Sequence, residues 1–194
     1  MELIIRRHGK TAGNRENRYV GRTDQPLCED YLEEIKAIGA DPLVSKVYVS
    51  PLLRTKQTAR LIFPNALQAE VKGLSEMDFG DFEGRTSDEM ADDKAYIAWV
   101  EGKCEGFCPN GEDLSGFRSR VCQTFEKLAL DAFDDNEEQL VIVAHGGTIM
   151  AVLSSFAEEK KPYFEWFAAN CHGFKAQVEI NTDKEIVLRE CMPI

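Results

Sequence analysis

The chain has 194 residues, 43% of them hydrophobic and 29% charged, which suits one globular domain with a real core. Its formal net charge of −11 argues against a general nucleic-acid or membrane-surface binder, because both partners are polyanions. It leaves room for a small anionic substrate held by a few local arginines, since distant charges are largely screened.

Leu3 to Arg6 reads as a short strand that begins at once, without the basic-then-apolar layout of a signal peptide. No apolar run approaches the roughly 20 residues of a membrane span, and a cytoplasmic chain is expected. Pro26 to Gly39 predicts a helix, with Tyr31, Leu32, Ile35 and Ile38 on one face and Gly39 as its stop. Lys46 to Ser50 is a second strand, Leu53 to Ile62 a helix closed by Pro64, and Ala66 to Val71 a weaker strand. Thr86-Ser87-Asp88-Glu89 has the form of a capping box opening a helix to Trp99. Leu114, Phe117, Val121, Phe125 and Leu128 recur at helical spacing. Gln139 to Ala144 is an apolar strand of the kind buried on both faces, and Gly147 to Phe156 a helix. Lys175 to Ile180 and Glu185 to Arg189 predict a hairpin around Asn181-Thr182-Asp183-Lys184. Alternating strands and helices imply an α/β layer fold around a mostly parallel sheet. The stretch from about 79 to 136 shows no convincing strand and is expected to cover one end of the sheet.

The six cysteines, Cys28, Cys104, Cys108, Cys122, Cys171 and Cys191, read as free thiols. Cys104 and Cys108, with Cys171 beside His172, lack the paired ligands at both ends that a zinc site needs.

Three clusters fall just after predicted strands: Arg7-His8-Gly9, Ser50-Pro51-Leu52-Leu53-Arg54 and His145-Gly146-Gly147. Ligands of open α/β sheets bind outside the carboxyl ends of the strands, so these clusters converge on one edge. A phosphoryl group carries spread negative charge, which the planar fork of an arginine matches. Neutral histidine has a lone pair for nucleophilic attack, and a second histidine can stabilise equatorial oxygens. Gly146 and Gly147 open a helix, whose N-terminus favours anions. A proton donor for the leaving alcohol is still needed; Glu76, after the third strand, is the first candidate and Asp78 and Glu83 are fallbacks. Any one cluster alone is ordinary polar surface. Of only three histidines, however, two sit beside glycine after a strand.

Arg7-His8-Gly9-Lys10-Thr11, Asn14, Gly21, Asp24 and Leu27, followed by Ser50-Pro51-Leu52 with Arg54, Thr58 and Ala59, resemble the histidine phosphatase (phosphoglycerate-mutase-like) superfamily. Glu76, Gly80, Glu83-Gly84 and His145-Gly146-Gly147 complete the series in the same order, from Leu3 to about Phe156. The resemblance implies a three-layer α/β/α sandwich, here a single domain over 1–194 with a small helical lid inserted at roughly 79–136. It implies that His8 is phosphorylated, that Arg7, Arg54 and His145 hold the phosphoryl group, and that Glu76 donates and then accepts the proton. Asn14, Gly21 and Gly146 would contribute to the phosphate pocket, with no metal and no organic cofactor. The chain departs from the pattern at Lys10, at Arg6, at Val20 where mutases commonly place threonine, and at Cys28 and Tyr31.

The run after Glu76, Met77-Asp78-Phe79-Gly80-Asp81-Phe82-Glu83-Gly84, is acidic, whereas mutases of the family carry a basic run there. That resembles the phosphatase branch, and Tyr19 to Leu27 with Pro109-Asn110-Gly111-Glu112 is most similar to alpha-ribazole phosphatases. The expected partner is therefore a small phosphorylated metabolite, not nucleic acid or membrane. Phosphoglycerate mutase and a non-catalytic, phosphate-dependent binding module are the alternatives. Tyr96, Trp99, Phe107 and Cys108 are candidate substrate contacts, with core packing the better reading of Trp99. His172 faces either the leaving group or solvent, the roles of Lys10 and Arg6 are open, and so is the choice between monomer and homodimer.

Overall fold

The computed structural model describes residues Met1–Ile194. Its sheet follows from strands that are apolar on both faces. In β4 (Gln139–Ala144), Leu140, Ile142 and Ala144 join one core while Val141 and Val143 join the other. In β1 (Glu2–Arg7), Leu3 and Ile5 point to the first core and Ile4 to the second. With β2 (Lys46–Val49), β3 (Leu67–Glu70), β5 (Gly173–Ile180) and β6 (Ile186–Pro193), the order is β3-β2-β4-β1-β5-β6. β1, β4, β2 and β3 pair in parallel, and β5 is antiparallel to both β1 and β6. Only β5 runs against the rest, so the sheet is mostly parallel, as expected.

Helices cover both faces. After a four-residue α1 (Ala12–Arg15), α2 (Leu32–Ile38) and α3 (Leu53–Ile62) bury Ile35, Ala59 and Ile62 in one core. Following α4 (Lys94–Glu101), α5 (Leu114–Asp134) and α6 (Gly146–Phe156) bury Phe117, Val121, Phe125, Ile149 and Val152 in the other. The result is the expected three-layer α/β/α sandwich. No helix is long and apolar enough to cross a membrane.

Two predicted helices differ from the structure. The one expected from Pro26 begins only with a 3-10 turn at Glu29–Tyr31, because Leu27 bridges Thr11 and the Cys28 N–H donates to the Lys10 carbonyl. Gly39, at φ 90°, ends α2 as predicted, in a backbone region that glycine enters freely. The helix expected over Thr86–Trp99 is split. Thr86 and Glu89 exchange the two capping hydrogen bonds, but they open only a 3-10 turn, Asp88–Met90. Asp93 then accepts from the N–H groups of Ala95 and Tyr96 and starts α4 afresh.

The stretch 79–136 also divides. α5 is a layer of the sandwich, packed on α6 and β4, and only the chain before it stands over the carboxyl edge of the sheet. That covering segment is held by aromatic packing. Tyr19 meets Phe79 with ring centroids 5.1 Å apart and Trp99 at 5.8 Å, and Phe82 meets Trp99 at 5.5 Å. Such pairs contribute about 0.5–1.5 kcal/mol each beyond their area.

Candidate active site

β2, β4 and β1 are neighbours, so their carboxyl ends deliver Ser50, His145 and Arg7-His8 to one place. The His8 N–H donates to the Ala144 carbonyl (3.0 Å), and the Gly9 N–H donates to Thr58 Oγ1 on α3 (2.9 Å). A Cβ on Gly9 would lie 2.6 Å from Ile35 Cδ1, so a side chain there would require the Ile35 side chain to shift.

His8 is 4% exposed, and its Nδ1 lies 2.6 Å from the Gly9 carbonyl. A carbonyl only accepts, so Nδ1 carries the proton and Nε2 carries the lone pair. Arg54 Nε donates to that Nε2 at 3.2 Å. Burial, then the charges of Arg54 and Arg7, hold the His8 pKa well below the ordinary 6.5, which keeps the ring neutral and nucleophilic.

Arg54 is wholly buried and clamped by backbone. Its Nη1 donates to the Thr23 carbonyl (2.8 Å) and its Nη2 to that of Gly21 (2.8 Å). The loop that supplies those carbonyls is itself fastened by Glu83. One carboxylate accepts from the N–H groups of Gly21 (2.9 Å) and Arg22 (2.8 Å) and from Thr23 Oγ1 (2.8 Å). Gly21, a candidate for the phosphate pocket, gives its N–H to Glu83 and meets Arg54 through its carbonyl. A Cβ there would fall 1.8 Å from the Met77 carbonyl.

Arg7 Nη1 donates to the Ala168 carbonyl (2.9 Å), its guanidinium stacks 5.5 Å from the Phe167 ring, and its Nε is buried with no protein partner. Asn14 Oδ1 accepts from the Thr11 N–H (3.1 Å) and from Asn170 Nδ2 (3.4 Å). Gly146 lies against Arg7, with 3.5 Å between its would-be Cβ and the guanidinium carbon. His145 sits at the N-cap of α6, its ring centroid 5.1 Å from that of His8.

Glu76, 9% exposed, brings a carboxyl group to the same edge. Its two oxygens accept from the N–H groups of Gly147 (3.0 Å) and Met77 (3.0 Å). Burial raises its pKa above the ordinary 4.5, against the pull of those hydrogen bonds and of Arg54 and Arg7. Burial, rather than the like charge of a phosphate, is thus what raises it in the free protein. A Cβ on Gly147 would come 2.3 Å from Glu76 Oε1, so a side chain there would displace the carboxyl group, whereas one on Gly146 would meet Arg7 only at ordinary contact distance. Arg120 holds the 3-10 turn Lys72–Leu74 that leads to Glu76 by donating to the carbonyls of Gly73 (3.0 Å) and Ser75 (3.0 Å). The fallback acids are occupied: Asp78 accepts from the Gly80 N–H and Glu83 from the Gly21 loop.

Beside Arg7, Glu76 and Gly147 opens a cavity of about 280 Å³, lined by Tyr19, Phe79, Trp99, Met150, Phe164 and Phe167 among others. Of the four predicted substrate contacts, Trp99 alone lines it, and its Nε1 is used on the Gly106 carbonyl (3.1 Å). Tyr96 packs on Phe82 and Cys108 is buried, while Phe107 is 70% exposed; the nearby cysteine on the cavity wall is Cys104. His172 lies in solvent with Nδ1 on the Ile194 carbonyl. Arg6 donates to the Cys171 carbonyl and Lys10 sits 4.8 Å over the Tyr31 ring; neither reaches the cavity. No three His, Cys, Asp or Glu side chains are grouped to hold a metal ion.

A neutral histidine with a directed lone pair, two arginines, a second buried histidine and a carboxyl group of raised pKa form a set suited to phosphoryl transfer. The family profile described as histidine phosphatase superfamily (branch 1) matches residues 3–188. The chain belongs to the histidine phosphatase superfamily. Within it, the chain is 32% identical over 164 residues to a 2,3-bisphosphoglycerate-dependent phosphoglycerate mutase 2 of Gloeobacter violaceus, covering 78% of this chain and 73% of the relative. It is 29% identical over 161 residues to a metal-independent phosphoserine phosphatase of Arabidopsis thaliana, covering 78% and 66% of the two chains. The alpha-ribazole phosphatase of Shigella flexneri shares the fold, at TM-score 0.77 and 24% identity, over 97% of this chain and 95% of that one. Members of this superfamily are enzymes, phosphatases or mutases, that act on small phosphorylated substrates.

Proposed function

We propose that this superfamily member is a metal-independent phosphomonoesterase that works through a phosphohistidine on His8. The observation that carries the proposal is the fixed tautomer of His8, with Nδ1–H on the Gly9 carbonyl and Nε2 directed at the site. In the first step Nε2 attacks phosphorus and the phosphorus–oxygen ester bond breaks. Arg54 Nε–H moves from Nε2 to a phosphoryl oxygen, and Arg7 and His145 hold the others, with Asn14 and Gly146 alongside. Glu76, whose pKa burial raises above the ordinary value, acts in its acid form and gives its proton to the leaving alkoxide. In the second step Glu76 takes a proton from water, the water oxygen attacks phosphorus, and the phosphorus–nitrogen bond breaks to release phosphate. A cytosolic location suits the six cysteines, which are free thiols.

The cavity favours water over a substrate acid as acceptor. Its cationic lining is Arg7, engaged by Ala168 and Phe167, and Arg18, paired with Glu16 and Glu89 and bound to the Gly84 carbonyl. A mutase must grip the carboxylate of its substrate, and no free cation lines this cavity for that purpose. An apolar aromatic leaving group fits the lining better, as in alpha-ribazole phosphate. Phosphoglycerate mutase remains the second reading, favoured by the relative in Gloeobacter violaceus.

A panel of phosphomonoesters including alpha-ribazole phosphate, phosphoglycerates and sugar phosphates tests this, with a denaturing quench at alkaline pH, where phosphohistidine survives, to trap labelled enzyme. The expected result is phosphate release, alpha-ribazole phosphate ranking first, and a labelled histidine absent from His8→Ala. Interconversion of 3- and 2-phosphoglycerate with a bisphosphate primer would establish the mutase. Phosphate binding without release from any ester would leave a binding module.

A further inference from the structure

The two histidines of the site are held in different ways. His8 is fixed through Nδ1 by a carbonyl. His145 is fixed through Nε2, 2.8 Å from Ser50 Oγ, while its Nδ1 is buried and has no partner in the protein. The His145 ring is wholly buried, edges onto His8, and is kept neutral by burial and by the charges of Arg54 and Arg7. A neutral imidazole has two nitrogens and one proton. If the proton sat on Nε2 it would point at Ser50, and Nδ1 would turn a lone pair toward the anionic oxygens of a phosphoryl group. If it sits on Nδ1, the ring offers those oxygens a donor.

The hydroxyl groups around Ser50 decide between the two. Ser50 Oγ accepts from the Leu52 N–H at 3.3 Å. Thr55 Oγ1 donates to the carbonyl of Leu52 (2.8 Å) or of Ser50 (3.0 Å). Thr55 therefore needs no acceptor from Ser50, and the Ser50 hydroxyl has its own proton to place. Two acceptors are in reach, Thr55 Oγ1 at 3.1 Å and His145 Nε2 at 2.8 Å. The shorter contact goes to the imidazole nitrogen, which is also the more basic acceptor.

We infer that Ser50 is a positioning residue that donates to His145 Nε2 and so keeps the His145 proton on Nδ1, where a neutral ring can stabilise the transferring phosphoryl group. This rests on the phosphotransfer reading above. Both histidines then carry their proton on Nδ1, with opposite consequences. The Gly9 carbonyl hides that proton on His8 and frees Nε2 to attack. Ser50 covers Nε2 on His145 and frees the Nδ1 proton to donate. A tautomer is set by the partner of the other nitrogen, and here the partners differ in kind.

Two-bond 1H–15N correlation spectra of the full chain labelled with 15N-histidine test the inference, with His8→Gln and His172→Gln spectra used for assignment. The expected wild-type result is a protonated Nδ1 and an unprotonated Nε2 on His145; a protonated Nε2 overturns it. In Ser50→Ala the proton should redistribute to Nε2, and kcat should fall about 10- to 100-fold, at or below the loss of one transition-state donor. Ser50→Thr, which keeps a hydroxyl, should restore both the tautomer and the rate. An unchanged tautomer in Ser50→Ala removes Ser50 from the role. Should Ser50→Ala fail to fold, the wild-type spectrum decides alone. Failure of the phosphatase reading would show separately, as a wild type inert on the ester panel whatever its tautomer.

Discussion

The phosphoryl half of the site and the leaving-group half are built on different plans. Arg7, His8 and His145 project from the ends of adjacent parallel strands, and Arg54 from the first turn of a helix. Each is gripped by backbone carbonyls or buried hydroxyls. The leaving-group half is assembled from Tyr19 on a loop, Trp99 on α4, and Phe164 and Phe167 near a 3-10 turn at Tyr163–Trp166. It is apolar, and two of its aromatics are more than half exposed. Rigid strand ends suit a chemistry that tolerates little displacement, and loop-borne aromatics suit a surface that selects by shape. Glu76 stands between the halves, belonging to the first by charge and to the second by position.

That contrast can be broken at three depths. The largest effect is expected at Glu76. Glu76→Gln should lower kcat/KM for alkyl esters about 10²- to 10³-fold, and much less for p-nitrophenyl phosphate, whose leaving group needs no proton. On the proposed mechanism, the reactive free enzyme needs Glu76 protonated and His8 neutral. Because the first pKa is raised and the second depressed, activity should persist into acid and decline as pH rises past the Glu76 value. Glu76→Gln should lose that alkaline decline; a profile unchanged by the substitution would assign the proton elsewhere.

Next is the fastening of Arg54. Glu83→Gln replaces one acceptor oxygen by an NH2 group facing backbone N–H donors. It should lower kcat about tenfold by loosening the loop of Gly21 and Thr23 that clamps Arg54, measured as kcat with little change of KM. An effect on KM alone would mean that the loop binds substrate directly. The smallest effect belongs to the aromatic half. Phe164→Ala should raise KM for aromatic esters about three- to tenfold, the worth of one aromatic contact, and leave methyl or glyceryl phosphate unchanged. Equal losses on all esters would dissolve the distinction between the halves.

The same contrast governed what could be read from the chain beforehand. His8, Arg54 and His145 were legible because each follows a strand of clear apolar character at a short offset, and Glu76 because it follows the weaker β3. β4 is apolar and buried from Leu140 to Ala144, whereas α3 buries Arg54, Thr55 and Thr58 beside Ala59 and Ile62. Glu83 was visible only as an acid. Its real task, accepting from a loop 60 residues earlier, exists once the backbone N–H groups of that loop converge. Arg120, Asn170 and Tyr163 act the same way: Tyr163 donates to the Gly147 carbonyl at 3.2 Å, a contact no spacing reveals. The helix starts at Pro26 and Thr86 went astray for a related reason, since local propensity there yields to pairing with distant backbone. The cavity wall was hardest to foresee, because aromatic residues in loops look alike whether they face a core, a cavity or water.

β4 lies between β1 and β2, and Glu2 to Arg7 register against Gln139 to Ala144. The ribosome therefore finishes the first strand long before the strand that must slot in beside it exists. Until residue 144 has emerged, the His8 N–H lacks its carbonyl partner and His145 is still to come. Pairings so distant along the chain form slowly, because loop closure must precede any reward from contact. A nascent chain that ends before residue 144 would hold His8 without the Ala144 carbonyl that its N–H meets and without His145, so the site is complete only once β4 has joined the sheet.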